Sequence, residues 1–255
     1  ATHGLPLELT RDVAQEQGLK VDEAGFIEAM DEHRVASGAG KAFGPLGGED
    51  VDIYRAVLDD LQARGELDSQ GVMYDPYNSF EFEGKLLALV RNGAVVDQAE
   101  EGDRGEMILP RTGFYVESGG QVADSGVVVS TSEPRWEVRI EDTRRPAAGV
   151  ITHIGQVTKG RPRVGDTAIA AIDGQRRRDI MRNHTATHLL HAELQAELGE
   201  HARQAGSMVA PDRLRFDFTH PEGMTPEQLE RVEAAVNRSI LENYGLEIAF
   251  KDREE

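Results

Sequence analysis

Leu86-Leu87-Ala88-Leu89-Val90-Arg91-Asn92-Gly93-Ala94-Val95-Val96 holds two apolar runs divided by Asn-Gly. Both central residues of a two-residue hairpin need positive φ, which Asn and Gly tolerate, so Leu86–Val90 and Ala94–Val96 are predicted to pair across Asn92-Gly93. Outward from this hairpin the pattern repeats. Short apolar runs bounded by Gly, Asn, Asp and Pro predict strands at Met107–Leu109, Val127–Ser130, Trp136–Ile140, Val150–Val157 and Ala168–Ile172. So many short strands in about 100 residues predict a barrel-like or strongly bent sheet over residues 66–174.

Beyond that sheet the apolar period lengthens. Gln175 to Leu198 reads as one long helix stopped by Gly199, with strands at Ser207–Ala210 and Leu214–Phe218. Thr225, Pro226 and Gln228 form a capping box with proline at the first helical position, and Leu229, Val232, Val236 and Ile240 predict a buried stripe on the helix that follows. Another strand starts at Ile248–Phe250. Ahead of the sheet, residues 1–65 read as helical. Leu9, Val13 and Ala14 recur at helical spacing, Phe26, Ile27 and Met30 share a second face, a glycine-rich connection runs from Ser37 to Gly48, and Ile53, Val57 and Leu61 stripe a third helix. The fold class is therefore α+β: an N-terminal helical segment (1–65), a β-barrel-like part (66–174) and an α+β part (175–255) carrying a long His-x-x-x-His helix.

Composition narrows the chemistry. Cysteine is absent, which removes disulfides, thiol nucleophiles and thiolate-held metals, so any metal must rest on His, Asp or Glu. No apolar run approaches the roughly 20 residues that span a bilayer, and no leader opens the chain, so a cytoplasmic protein with no membrane partner is expected. The 28 Lys and Arg against 46 Asp and Glu give a net charge of −18, which argues against a sequence-blind nucleic-acid coat. Trp136 to Arg182 reverses the sign, with 10 basic and 6 acidic residues. A phosphate backbone is expected there, most sharply at Arg176-Arg177-Arg178.

Two segments carry candidate chemistry. Within Asn183-His184-Thr185-Ala186-Thr187-His188-Leu189-Leu190-His191, His184 and His188 stand at i, i+4, the spacing at which two imidazoles grip one metal ion. No Glu follows His184, so the general base of the metalloprotease helix is missing. Two partly buried histidines bonded to the backbone would look the same. The other segment, Thr112-Gly113-Phe114-Tyr115-Val116-Glu117-Ser118-Gly119-Gly120-Gln121, sets adjacent glycines before an amide. Such a loop brings backbone N–H groups close to a ligand, or is simply a tight hairpin.

Together with Gly206-Ser207-Met208-Val209-Ala210-Pro211-Asp212-Arg213-Leu214-Arg215-Phe216-Asp217-Phe218 and the opening His3-Gly4-Leu5-Pro6-Leu7-Glu8-Leu9-Thr10, these segments resemble the alanyl-tRNA synthetase family. The likeness runs from the end of the tRNA-recognition helices through most of the editing domain. It implies hydrolysis of Ser or Gly esters wrongly attached to the tRNA for alanine, a second sieve needed because small side chains differ too little in binding energy. It also implies a Zn²⁺ site in which His184 and His188 are two of four ligands. The other two, a later Cys-x-x-x-His segment, have no counterpart in this sequence, so a fragment is expected that is inactive alone. ATP and Mg²⁺ would belong to an aminoacylation domain outside the chain. By motif position, Thr112 would sense a substrate hydroxyl and Gln121, with the Gly119-Gly120 backbone, would shape the pocket; the basic run Arg176, Arg177 and Arg178 is expected, on its charge, to meet the tRNA acceptor end. The partners implied are that tRNA and the rest of the synthetase. A non-catalytic tRNA-binding or interaction module with the same fold is the alternative.

Overall fold

The computed structural model describes residues 49–245, of which those from Ile53 onward belong to one unit. The helices expected before residue 49 and the strand at Ile248–Phe250 lie outside the described residues. The described residues open with helix α1 (Glu49–Ala63) and enter a β region: β1 (Met73–Tyr74), β2 (Glu81–Lys85), β3 (Ala88–Arg91), β4 (Ala94–Val96), β5 (Arg104–Ile108), β6 (Arg111–Thr112), β7 (Gly126–Ser130), β8 (Glu137–Ala147), β9 (Val150–Lys159) and β10 (Thr167–Ile172). Helix α2 (Gly174–Leu198), strands β11 (Gln204–Val209) and β12 (Leu214–Phe218), and helix α3 (Pro226–Glu242) complete it.

Asn92 and Gly93 turn the predicted hairpin with φ of 51° and 72°, and Arg91 faces Ala94 across it. β3 then belongs to an eight-stranded antiparallel sheet of order β2-β10-β7-β8-β9-β5-β3-β4. The barrel expectation is corrected here, because no ladder joins β2 to β4 and the sheet has two edges. What links β2 to β3 is covalent. Only Leu86 and Leu87 separate them, yet β2 pairs with β10 and β3 with β5. Alternation along this bent ribbon sends Leu86 and Leu89 into one core, with Phe82, Phe114, Trp136 and Ile140. Leu87, Ala88 and Val90 enter a second core, against Tyr54, Val57 and Leu61 of α1. The predicted stripe of α1 is thus buried, apart from a half-buried Ile53. Arg144 of β8 bonds the Tyr54 hydroxyl (2.7 Å) and Glu106 of β5, fixing α1 to the sheet.

β8 runs seven residues past its predicted end at Ile140, because Arg144, Arg145 and Pro146 break the apolar pattern but not the pairing with β9. Asp173 caps α2 by accepting from the N–H groups of Gln175 and Arg176, and the Thr225 capping box of α3 is present in full. The stripe of α3 departs from expectation. Only Val232 is buried, while Leu229 is 53% and Ile240 51% exposed. No helix among the described residues is long and apolar enough to cross a membrane.

Candidate functional site

Three segments meet around α2: the loop Gly113–Asp124, the middle of the helix, and β11. The loop is held by Arg177, a residue only 5% exposed. Its Nε and Nη2 grip the Asp124 carboxylate, Nη1 donates to Pro76 O (2.6 Å) and Nη2 also donates to Gly113 O (2.8 Å). Asp124 in turn accepts the Tyr115 N–H at 2.7 Å. A buried ion pair stabilises only when its remaining donors and acceptors are largely satisfied. These contacts engage four of the five Arg177 N–H groups with the protein itself, so this middle residue of the arginine run is turned into the fold. Arg176 donates to Ala123 O (2.7 Å), and Arg178 is exposed with no acidic partner among the described residues.

At the tip of the loop Ser118 and Gln121 exchange backbone hydrogen bonds (3.0 and 3.2 Å) across Gly119 and Gly120, whose φ are 59° and 81°. This is the tight hairpin that the glycines permit. Gly120 has a second reason to be glycine, since a Cβ there would meet Ser207 O at 2.5 Å. The close approach lets Gly120 O accept the Val209 N–H (2.7 Å) and Val209 O accept the Val122 N–H (3.0 Å), docking the hairpin on β11.

The docked hairpin presents Gln121, 6% exposed, to the helix. Its Oε1 accepts from His184 Nδ1 at 2.6 Å. An amide oxygen can only accept, so Nδ1 carries the proton and Nε2 keeps its lone pair. His188 lies one turn on, exposed, its ring stacked on that of His184 at 5.1 Å between centroids and 22° between planes. Burial, and secondarily the neighbouring His188, holds the His184 pKa below the ordinary histidine value, favouring the neutral, ligating form. A metal-bound imidazole commonly donates its other N–H to an oxygen, as His184 does. Two such imidazoles fit half of a tetrahedral zinc site. Among the described residues no cluster of three or more His, Cys, Asp or Glu completes it. His191 packs on Phe216 with ring centroids 5.0 Å apart. Asn183 secures the same stretch of helix by donating to Ala210 O (2.7 Å).

Thr112 is fully buried beside the loop, and its hydroxyl is engaged internally. It donates to His153 Nε2 (2.7 Å) and accepts the Phe114 N–H (3.1 Å), while His153 Nδ1 donates to Met107 O (3.3 Å). The Phe114 ring meets His153 edge-on at 5.1 Å. Sequence reasoning missed His153, Asp124 and the loop-holding role of Arg177. The signal for His153 was a lone imidazole in the apolar strand Val150–Val157, where burial demands partners.

A family model described as tRNA synthetases class II (A) matches residues 1–176. The alanine–tRNA ligase of Chloroflexus aurantiacus is 46% identical over 239 residues, 94% of this chain and 25% of that protein. The alanine–tRNA ligase of Thermus thermophilus is 44% identical over 258 residues, 100% of this chain and 28% of that protein. The chain spans about a quarter of the length of these curated relatives.

Proposed function

The chain belongs to the alanyl-tRNA synthetase (alanine–tRNA ligase) family, and from that premise we propose that its α2 site hydrolyses amino-acid esters wrongly attached to the tRNA for alanine, serine and glycine esters first. The observation that carries this reading is the Gln121–His184 hydrogen bond, which joins the glycine hairpin to the His-x-x-x-His helix. A hairpin docked on β11 gives the amide a fixed position, and the amide fixes the imidazole's tautomer. Gly119 gives the turn its positive φ and Gly120 the close backbone approach to Ser207, which together shape the pocket. Thr112 serves the pocket from behind, by holding Phe114 at the root of the loop.

His184 and His188 would hold Zn²⁺, which when bound acts as a Lewis acid toward the ester or its attacking water. This chain contributes the two imidazoles, with Gln121 orienting one of them. Half a ligand set binds zinc weakly, so the chain by itself is expected to be inactive. Charging with alanine, and its ATP and Mg²⁺, belong in this proposal to the rest of the synthetase.

The test uses the intact parent enzyme. His184→Ala and His188→Ala should each abolish deacylation of seryl-tRNA while alanine charging stays near wild type. Deacylation at the wild-type rate by either variant removes the assignment. The lack of a third ligand among the described residues favours a second reading, a non-catalytic tRNA-binding module. Zinc content of the parent separates the two: zinc that His184→Ala loses supports the hydrolase, and a zinc-free parent supports the module.

A further inference from the structure

Beside the glycine hairpin lies an open cleft of about 370 Å³, within the roughly 300–1,000 Å³ of small-ligand sites. Its walls come from Tyr74 and Tyr77, from Tyr115 to Ser118 of the loop, and from Arg145 of β8. Tyr74 is held still, because its hydroxyl accepts the Val116 N–H at 3.2 Å. Arg145 lies over the Tyr74 ring, its guanidinium carbon 5.3 Å from the centroid. That guanidinium is exposed and has no carboxylate partner among the described residues. Its sequence neighbour Arg144 differs, being paired with Glu106.

Tyr77 is the largest anomaly, with 85% of its surface in water. An aromatic ring left so exposed, beside two other tyrosines and an unpaired arginine, matches few ligands. An apolar peptide would leave Arg145 uncompensated. A bare phosphate would ignore three rings and meet Glu117, which also lines the cleft. An unpaired nucleotide satisfies all of them. Its base stacks on an aromatic face, its phosphate faces the guanidinium, and base amines or ribose hydroxyls donate to the carboxylate.

We propose that this cleft, built by Tyr74, Tyr77, Tyr115, Glu117 and Arg145, binds an unpaired nucleotide at the end of an RNA strand. The inference deepens the hydrolase reading and rests on it in one respect, that the strand carries the ester. The cleft wall Tyr115–Ser118 runs directly into Gly119-Gly120-Gln121, so a base stacked there leaves the strand terminus beside the hairpin that holds Gln121 against His184.

The test is fluorescence anisotropy of a labelled single-stranded RNA tetranucleotide with the 255-residue chain. Tyr77→Ala should weaken binding about 5- to 150-fold, the range for losing one base–aromatic stack, while Tyr77→Phe keeps it. Arg145→Ala should lower the slope of log K against log salt by about 0.7, one single-strand phosphate contact. No binding by the wild-type chain, wild-type affinity in Tyr77→Ala, or equal affinity for a free nucleoside monophosphate each overturns the assignment. The RNA is uncharged, so the outcome does not depend on deacylation. RNA binding indifferent to Tyr77, together with deacylation that needs His184, defeats the cleft and spares the hydrolase. The reverse pair of results does the opposite.

Discussion

His153 sits with its imidazole wholly enclosed between Met107 O and the Thr112 hydroxyl, and burial pushes its pKa down to about 4. In the unfolded chain the same ring titrates near 6.5. Between these values the unfolded state binds the extra proton, so stability is full above about pH 6.5 and drains away as the pH falls toward 4. The gap corresponds to roughly 3 kcal/mol at most. His153→Gln keeps a polar side chain and removes the titration. Its urea midpoint should vary less than that of wild type between pH 7 and 4.5, and parallel pH profiles would refute this. At this scale the sequence was legible wherever a residue type answers a local backbone demand. Asn92 and Gly93 did so at the hairpin, and Gly119 and Gly120 at the loop tip. It was illegible where the partner is distant: nothing near Thr112 announces that its hydroxyl is committed to a ring 41 positions away.

Helix α2 shows the same division between what is local and what is not. Its length, its Asp173 cap and the shared face of His184 and His188 follow from period and capping rules. Its three consecutive arginines do not sort themselves in sequence, because helical geometry alone decides that the middle one turns inward. Arg177→Met should cost about 3–5 kcal/mol, since it leaves the Asp124 carboxylate buried without its counter-charge. Adding Asp124→Asn should recover part of that loss. Denaturant unfolding of the single and double variants measures both, and an unfolding midpoint for Arg177→Met equal to wild type would show that the clamp contributes nothing. Helix α3 gives the converse lesson. Its apolar stripe correctly marks an amphipathic helix, but an amphipathic pattern does not specify what covers it, and Leu229 and Ile240 stay exposed.

Across the whole molecule, stability is unevenly spread. The sheet buries two cores, whereas α3 buries Val232 alone and is tied to α2 by the exposed Arg231–Glu197 pair and the Ser239–Glu193 hydrogen bond. An exposed pair of this kind is screened by water and adds little. Amide hydrogen exchange should therefore find residues 226–242 opening well before β8 and β9, and equal protection would contradict it. The order of the eight strands was the part least open to reading, since pairing partners far apart in sequence leave no periodic trace. The bent ribbon β2–β3 has a further consequence during synthesis. β3 meets β4 and β5 as soon as they are made, but Lys85 waits for Thr167, 167 − 85 = 82 residues later. At about 5–20 residues per second a ribosome needs roughly 4–16 s to supply that partner. Throughout that interval Glu81–Lys85 is a strand without a neighbour on a nascent chain. Its outward Glu81, Glu83 and Lys85 place charge along that open strand, which disfavours edge-to-edge pairing with another chain.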